Sequence, residues 1–393
     1  MNELDKYLLE NFPHIMFKSE WKISNTLMYK LGQCCSIVQS LKYLPLEPNF
    51  REKLLEVSLI KGAQATTAIE GNTLSEDEIR AIADGAKLPE SRQYLEIEVK
   101  NVIDALNEVF KGVVKENQVP LIRPELICAF HGLIGKDLGE HFEATPGKFR
   151  MNNVVVGHYR APEYKYVSNL MQKLCDWLKN EYGFDRDIEQ KFSDAVVEAI
   201  VTHIYIAWIH PFGDGNGRTA RLLEFYILLR GGLPNICSHI LSNHYNNTRS
   251  NYYRQLDSAG KTKDITNFLE YAVQGLLDGL TDLLSEVQIH QLKTSWRSYV
   301  FEVFDSLNKL KQPKKSRLRK LVLSMEILKK YDKETLLKLN IDIALAYKSL
   351  SSRTIDRDIL DLIEIGLVEE DDDNQYSVST DQLLSKLPES RII

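Results

Sequence analysis

The stretch HPFGDGNGRTAR, residues 210–221, separates two segments of helical periodicity at residues 195–208 and 219–230. Its three alternate glycines, at positions 213, 215 and 217, leave the backbone of the stretch uncrowded. Because a helix begins directly afterwards, free backbone N–H groups and the positive end of a helix dipole converge on this turn. The turn is therefore predicted to bind an anion, with phosphate as the favoured ligand.

Charged side chains in the same stretch point to a reaction on phosphate. Arg218 and Arg221 are three residues apart, on one side of the first helical turn, where two guanidinium groups can hold phosphate oxygens. Asp214 suits Mg²⁺, which uses one or two carboxylates together with substrate phosphates. His210 is a candidate general base near neutral pH. The combination indicates phosphoryl or nucleotidyl transfer.

Other phosphate and metal motifs fit less well. Residues 215–220 match a dinucleotide fingerprint in form, but a helix precedes them, and Cys237 stands where an acidic residue is needed. The P-loop pattern GxxxxGK[ST] does not occur, and a calcium loop starting at Asp214 would have Phe225 in place of its last glutamate. An ordinary glycine-rich turn with surface arginines is the structural alternative.

The stretch resembles the signature of the Fic-domain family, His-Pro-Phe-x-Asp/Glu-Gly-Asn-Gly-Arg-x-x-Arg, at every fixed position. GKFRMNNVVVG at 147–157 resembles the family's flap, and SNYY at 250–253 resembles the segment beside the nucleotide base. TTAIEGNTL at 66–74 resembles its N-terminal inhibitory motif. Helical spacing over most of the chain and one strand candidate at 148–156 predict a mainly α protein with one β-hairpin. The resemblance implies that this is a Fic-type helical bundle with a β-hairpin flap.

The resemblance implies a Mg²⁺-dependent protein adenylyltransferase, which transfers AMP from ATP to a Ser, Thr or Tyr hydroxyl of a target protein or of itself. His210 is then the catalytic base, Asp214 the metal ligand and Glu70 the inhibitory residue. The implied nucleotide-binding residues are Glu70, Val154, Val155, Val156, Gly157, Asp214, Gly215, Asn216, Gly217, Arg218, Thr219, Ala220, Arg221, Tyr252 and Tyr253. Simple packing on a helix face is the alternative role for Tyr252.

Glu70 is expected to regulate the site. It follows a helical segment and precedes Gly71, and the pattern Ser75-Glu-Asp-Glu78 starts another helix with a capping box. The resemblance implies that Glu70 pairs with Arg221, fills the place of the γ-phosphate and lowers activity. In relatives the same glutamate also serves removal of AMP, and the sequence leaves the dominant direction open. Gly260, where some relatives have Asn near the base, leaves CTP, UTP or another nucleotide donor open beside ATP.

Composition narrows the class of protein. The 393 residues include 49 Lys+Arg and 55 Asp+Glu, a net charge of −6, which provides no general attraction to nucleic acid or anionic lipid. We expect neither a membrane span nor a secretory signal, because polar residues interrupt the most apolar stretch. Five scattered cysteines form no disulfide framework, so a cytoplasmic location is expected.

The predicted domains are an N-terminal helical region with the inhibitory motif at 1–95, a Fic catalytic domain at 96–290, a helix and basic linker at 291–320, and a winged helix-turn-helix-like domain at 321–393. The stretch 311–320, KQPKKSRLRK, is predicted to be the linker. Beyond it, an amphipathic helix from residue 351 is predicted to end at Gly366, and the turn at 369–373 and the strand at 375–379 suggest a hairpin wing. Four acidic residues of that helix argue against DNA binding: Asp356, Asp358, Asp361 and Glu364. From residue 311 onward 15 basic and 15 acidic residues cancel, which favours protein binding or oligomerisation over DNA binding. A nucleotide-sensing DNA regulator is the alternative function, and the apolar stripe at 265–284 is either core or a dimer seam.

Overall fold

The mainly helical fold is confirmed by a computed structural model, which describes residues 3–183, 188–307, 310–327 and 329–379. The chain divides into two compact units, Met1–Leu284 and Ser285–Ile393. The helices that begin in unit 1 are α1 (Glu3–Asn11), α2 (Asn25–Tyr43), α3 (Pro48–Ile69), α4 (Glu76–Ala83), α5 (Gln93–Phe110), α6 (Pro124–Ile134), α7 (Tyr164–Tyr182), α8 (Ile188–Ile209), α9 (Asn216–Arg230), α10 (Ile240–Asn247), α11 (Arg249–Thr262) and α12 (Thr266–Ser306).

Helices α8 and α9 form the centre of unit 1 and pack against each other along their lengths. Apart from the half-buried Gly217, α9 is buried from Asn216 to Leu229, which is typical of a helix surrounded by other helices. Residues 191–209 of α8 are long and apolar enough to cross a membrane, but 83% of that stretch is buried inside the protein. This burial fits its place as a core helix.

Helix α3 carries the predicted inhibitory segment to the centre of the unit. Pro48 stands in the first turn of α3, where its missing N–H costs nothing. The helix ends at Ile69, and Gly71 adopts φ +103°, a left-handed conformation that favours glycine. The predicted capping box is confirmed, since the Ser75 and Glu78 side chains each accept a hydrogen bond from the other residue's backbone N–H.

The flap is a shorter hairpin than the sequence predicts. A strand was expected over residues 148–156, but only β1 (Val155–Val156) forms, antiparallel to β2 (Tyr159–Arg160). The difference arises because nearby backbone carbonyls accept hydrogen bonds from the Arg150 side chain and not from a neighbouring strand. One of them is the Asn152 carbonyl, at 2.7 Å. Gly157 makes the turn with φ +58°.

The apolar stripe at 265–284 packs in the core of unit 1. Phe268, Leu269, Val273 and Leu276 are each fully buried. Of the two roles that the sequence leaves open for this stripe, the core role is the one seen.

The stretch that was predicted to be a basic linker is a helix packed in unit 2. The stretch 311–320 belongs mostly to helix α13 (Gln312–Ser324), which begins with Pro313 in its first turn. Leu318, Leu321 and Val322 are fully buried in the core of unit 2, beside Trp296 and other residues of α12. The linker interpretation is wrong because the helix hides a narrow apolar stripe among its basic residues.

The remaining elements of unit 2 are α14 (Lys333–Leu336), α15 (Ile341–Tyr347), α16 (Ser352–Glu364), β3 (Val368–Glu370) and β4 (Tyr376–Val378). The predicted helix ends just before Gly366, at φ +79°, and an antiparallel hairpin follows it, with Val368 opposite Val378. Assignment to the winged helix-turn-helix class stays a prediction, and residues 380–393 of the predicted domain lie outside the described residues.

The correction of the linker can be tested by substitution. We expect Leu321→Ala to lower the free energy of unfolding of unit 2 by about 2–5 kcal/mol, because it removes a fully buried side chain. Hydrogen exchange of the α13 amides in the full chain, followed by mass spectrometry, measures this loss. Lys320→Ala, at an exposed position of the same helix, is the matched control. Equal stability of the two variants would restore the linker interpretation.

Candidate functional site

The glycine-rich turn lies between α8 and α9 as predicted. His210 (φ +49°) and Gly215 (φ +74°) at its two ends both adopt left-handed backbone, which strains histidine but not glycine. The Asn216 side chain closes the turn, because its Oδ1 accepts from the Phe212 N–H and its Nδ2 donates to the Phe212 carbonyl, both at 2.9 Å. Asn216 is 4% exposed and its side chain shapes the loop, while its contact with a nucleotide stays a prediction.

His210 is suited to accept a proton. Its Nδ1 lies 3.4 Å from the Ala207 carbonyl, an oxygen that can only accept, so this nitrogen carries the proton and Nε2 is left as a base. Burial lowers the pKa of His210 below its ordinary value, and the positive charge of Arg150 acts in the same direction. The neutral, proton-accepting imidazole therefore dominates at pH 7.

Glu70 lies on the predicted anion site, at the first turn of α9. A methyl group added to Gly217 would collide with Glu70 Oε1 and would approach Arg221 Nη1 to 3.1 Å. The carboxylate therefore covers the backbone at the helix N-terminus, where unpaired N–H groups and the helix dipole favour negative charge. A side chain of the protein takes the position that the sequence predicts for phosphate.

Arg221 holds Glu70 in this place. Its Nη2 donates to Glu70 Oε1 at 2.6 Å and to the Thr66 carbonyl at 2.9 Å, so the predicted pair is present. The Arg221 side chain is 1% exposed, and within the described residues its Nε and Nη1 have no hydrogen-bond partner. Burial favours the neutral form of Glu70, but Arg221, with further help from Arg218 and His210, holds the pKa of that carboxyl below its usual range.

Arg218 is held by two carboxylates, one of which the sequence reasoning missed. It donates to Glu98 of α5 and, at 2.8 Å, to Asp214 Oδ1. Asn72, two residues beyond Glu70, donates to the other oxygen of Glu98 at 2.7 Å. Burial raises the pKa of Glu98, although Arg218 opposes that effect. Both predicted phosphate-binding arginines are thus connected to the segment that follows α3.

Asp214 is the one predicted metal ligand. In the described part of the chain, no three His, Cys, Asp or Glu side chains are grouped so as to hold a metal ion. The Asp214 side chain is 31% exposed and accepts from Arg218 and from the Gly215 N–H. A single reachable carboxylate beside an anion site suits Mg²⁺ that arrives with a polyphosphate, since that ion keeps phosphate and water ligands.

The flap is fastened to the catalytic loop. Arg150 donates through Nε to the His210 carbonyl at 2.8 Å, and the Tyr159 hydroxyl donates to the Trp208 carbonyl at 2.9 Å. These two bonds hold both sides of the hairpin against the end of α8. Val155 and Val156 are 62% and 43% exposed, so the β1 strand is open to another chain.

Three residues with predicted nucleotide contacts are buried in unit 1, and those contacts stay predictions. Tyr252 is a core residue: it is 3% exposed, its hydroxyl bonds His203 Nε2 at 2.8 Å, and its ring stacks on Tyr245. Of its two predicted roles, packing on the helix face is the one seen. Thr219 and Ala220 of α9 are 0% and 1% exposed, because they face the interior of unit 1.

Tyr253 lies at the edge of the site. It is 46% exposed and donates through its hydroxyl to the Ile69 carbonyl at 3.2 Å. Arg249, which the sequence reasoning missed, donates to the same carbonyl at 2.5 Å. The two side chains hold the end of α3 directly before Glu70. The contact of Tyr253 with a nucleotide base stays a prediction.

Comparison with known proteins agrees with this geometry. Residues 121–228 match the Fic/DOC family. The chain is 29% identical over 209 residues to protein adenylyltransferase fic-1 of Caenorhabditis elegans, covering 53% of this chain and 38% of that protein. It is 28% identical over 210 residues to protein adenylyltransferase Fic of Nematostella vectensis, covering 53% and 45%. The chain thus spans less than half the length of these relatives.

Solved structures agree in fold. A Fic family protein from Desulfovibrio desulfuricans aligns with a TM-score of 0.56 at 20% identity, covering 92% of this chain and 98% of that one. Fic-1 of C. elegans aligns with a TM-score of 0.54 at 23% identity, covering 67% and 73%. The family match, the adenylyltransferase relatives and the shared helical fold lead to one conclusion: residues 121–228 of this chain belong to the Fic/DOC family.

Proposed function

We propose that this chain is a protein adenylyltransferase that Glu70 holds in a low-activity state. The observation that carries the proposal is the place of the Glu70 carboxylate, on the first turn of α9 and bonded to Arg221 at 2.6 Å. The relatives named protein adenylyltransferase support the same activity. ATP is the proposed donor, and a hydroxyl side chain of a target protein is the proposed acceptor.

The reaction forms one phosphorus–oxygen bond and breaks another. The target hydroxyl oxygen attacks the α-phosphorus of ATP, and the bond from that phosphorus to the oxygen bridging to the β-phosphate breaks. The hydroxyl proton passes to Nε2 of His210, and pyrophosphate leaves with the bond electrons. A positioned general base contributes about 10²–10⁴-fold to the rate of such a step.

Charge on the departing pyrophosphate is the main obstacle, and cationic groups of the site face it. Arg218 and the buried Arg221 offer guanidinium donors, and the N–H groups at the start of α9 add the helix dipole. Arg221 Nε and Nη1, which have no partner in the described structure, suit phosphate oxygens in particular. Asp214 would hold Mg²⁺, which neutralises phosphate charge when bound.

Glu70 opposes this arrangement in the resting protein. Its carboxylate lies on the anion site and accepts a hydrogen bond from Arg221. While Glu70 is there, the terminal phosphates can bind neither the helix N-terminus nor that guanidinium N–H. ATP is then expected to bind in a pose unsuited to in-line attack. Removal of the Glu70 side chain should free both the helix N-terminus and the guanidinium group.

The open flap is the proposed docking place of the target. An extended segment can add to the exposed β1 strand through backbone hydrogen bonds, which accept varied sequences. The same site also suits the reverse type of reaction, in which Glu70 orients a water that releases AMP from a modified protein. The assay below measures both directions.

Transfer to the protein itself provides the first test. We expect Glu70→Gly, incubated with Mg²⁺ and α-labelled ATP, to incorporate label at least about tenfold faster than the wild type, because one charged contact of a few kcal/mol is removed. Glu70→Gly/His210→Ala should lose about 10²–10⁴-fold of that rate. Incorporated label, measured on the denatured protein, is the readout.

Asp84→Gly is the matched control. Asp84, like Glu70, is the residue that follows a helix and precedes a left-handed glycine, but it lies at the end of α4. This variant should remain as slow as the wild type. Labelled Glu70→Gly protein mixed with unlabelled wild type then tests for release of AMP. No labelling of Glu70→Gly, despite bound ATP and an added cell extract as a source of targets, would contradict the proposal.

The pH dependence follows from the lowered pKa of His210. The base form is present above that pKa and is lost as the pH falls through it, so the single-turnover rate of Glu70→Gly should stay flat from about pH 8 to pH 6.5 and fall only below. The wild type should remain slow over the same range, because the pKa of Glu70 is below its ordinary value and the carboxylate stays ionised. A rate that already falls between about pH 8 and pH 7 would contradict His210 as a buried neutral base.

Unit 2 has a second candidate function, binding of nucleic acid. The acidic residues of α16 that argued against it are partly turned inward, since Asp358 pairs with Arg317 at 2.6 Å and Asp361 with Lys314 at 2.6 Å. Arg353 and Arg357 on the same helix are exposed.

This candidate is tested on the full chain. A gel-shift titration with duplex DNA should show an affinity that falls with added salt and is lost in Arg353→Ala/Arg357→Ala. Lys338→Ala, which removes an exposed basic side chain elsewhere in unit 2, should leave the affinity for DNA unchanged. No shift at low salt would remove the candidate.

A further inference from the structure

His131 joins two parts of the site that are far apart in sequence. It lies on α6, is fully buried, and has a hydrogen bond at each ring nitrogen. Nδ1 lies 2.9 Å from the Gly147 nitrogen, and Nε2 lies 2.9 Å from the Asp214 carbonyl oxygen. Because the backbone N–H can only donate and the carbonyl can only accept, the imidazole carries its proton on Nε2.

The faces of the imidazole are also fixed. The ring stacks on Phe212 of the catalytic loop with ring centres 3.7 Å apart and planes 2° from parallel. Phe142 packs against the His131 ring, with ring centres 5.2 Å apart, and it also lines the space beside Gly215. His131 therefore supports the turn both through hydrogen bonds and through the stacked ring.

The bond to the Asp214 carbonyl has a consequence for the anion site. The peptide bond between Asp214 and Gly215 is trans, like every peptide bond among the described residues, and in a planar trans peptide the carbonyl of one residue points opposite to the N–H of the next. Holding the Asp214 carbonyl toward α6 therefore turns the Gly215 N–H away from α6. That N–H now donates to the Asp214 carboxylate, on the side where Arg218 also reaches the carboxylate.

We propose that His131 is a positioning residue for nucleotidyl transfer: through the Asp214 carbonyl it aims the Gly215 N–H at the phosphates, and through the Gly147 N–H it ties the base of the flap to the same loop. This inference rests on the proposed function. His131 does not touch the reacting atoms. It acts through the peptide between Asp214 and Gly215 and holds the nucleotide site and the flap in a fixed relative position.

The two hydrogen bonds can be separated by substitution. A glutamine amide nitrogen can take the place of Nε2 and donate to Asp214, while an asparagine oxygen can take the place of Nδ1 and accept from Gly147. Phenylalanine keeps a ring that can stack on Phe212 but keeps neither hydrogen bond. A role in packing alone predicts that phenylalanine is the best tolerated of the three.

The test uses the full chain with Glu70→Gly as the parent. We expect His131→Phe to lower kcat by about 10–10³-fold, because a misdirected N–H resembles the loss of one donor to the developing charge. His131→Gln should recover most of that loss, whereas His131→Asn should not. KM for ATP should change less than kcat, since the contact matters most in the transition state. His244→Phe, at a half-buried histidine of α10 that bonds no residue of the turn through its ring, is the control and should keep the parent's kcat.

A second measurement does not need transfer activity. The chain has 20 glycines, so labelling glycine with ¹⁵N makes the amide signals of Gly215 and Gly147 accessible to NMR. Inorganic pyrophosphate should shift the Gly215 signal in the parent. The affinity of the protein for pyrophosphate should fall at least about tenfold in His131→Phe and return in His131→Gln.

The inference and the proposed function fail differently. Absence of label in the parent would count against the adenylyltransferase proposal, while the pyrophosphate titration would still decide the role of His131. A parent-like kcat in His131→Phe, or a His131→Gln variant no better than His131→Phe in both measurements, would overturn the positioning role. A Gly215 amide signal at the same position in His131→Phe as in the parent, before pyrophosphate is added, would overturn it as well.

Discussion

The ion pair between Glu70 and Arg221 at the N-terminus of α9 is the interaction on which the site depends. The start of α9 presents unpaired N–H groups, a left-handed Gly215 and a buried guanidinium group, and all of these favour an anion at one place. A fully buried arginine without a counter-ion would carry a large desolvation cost. The protein supplies its own carboxylate. In the proposed function, the feature that would bind phosphate therefore also stabilises the low-activity state.

The rest of the site extends this arrangement outward. Asn72 bonds Glu98, and Glu98 bonds Arg218, so one short segment after α3 restrains both arginines, one directly and one through a second carboxylate. Tyr253 and Arg249 hold the carbonyl that precedes Glu70. Movement of this segment is therefore coupled to the positive charge available at the turn. In the proposed function, such a movement would change activity.

The parts of the site that short-range patterns control could be predicted from the sequence. The glycines and the helical period placed the turn and the start of α9, and the Ser75 capping box placed the start of α4. The rest depends on tertiary contacts. Glu98 is 120 residues from Arg218, and its only local signal is its place, with Leu95, Val99 and Val102, on the apolar face of an amphipathic helix. The sequence did not decide between the two roles of Tyr252, because its hydrogen-bond partner His203 is 49 residues away. The stripe at Leu318 and Leu321 was missed because it is short and lies among basic residues. Asn216 closes its own loop by bonds that residue type alone does not specify.

A crystal structure of the Glu70→Gly protein with Mg²⁺ and a non-hydrolysable ATP analogue tests most directly whether Glu70 occupies the phosphate site of α9. We expect phosphate oxygens on the N–H groups that begin α9, and Arg221 turned from the Glu70 position to a phosphate. His210 Nε2 should face the α-phosphorus. A nucleotide bound elsewhere, with the first turn of α9 filled by water and Arg221 still bonded only to the Thr66 carbonyl, would contradict it.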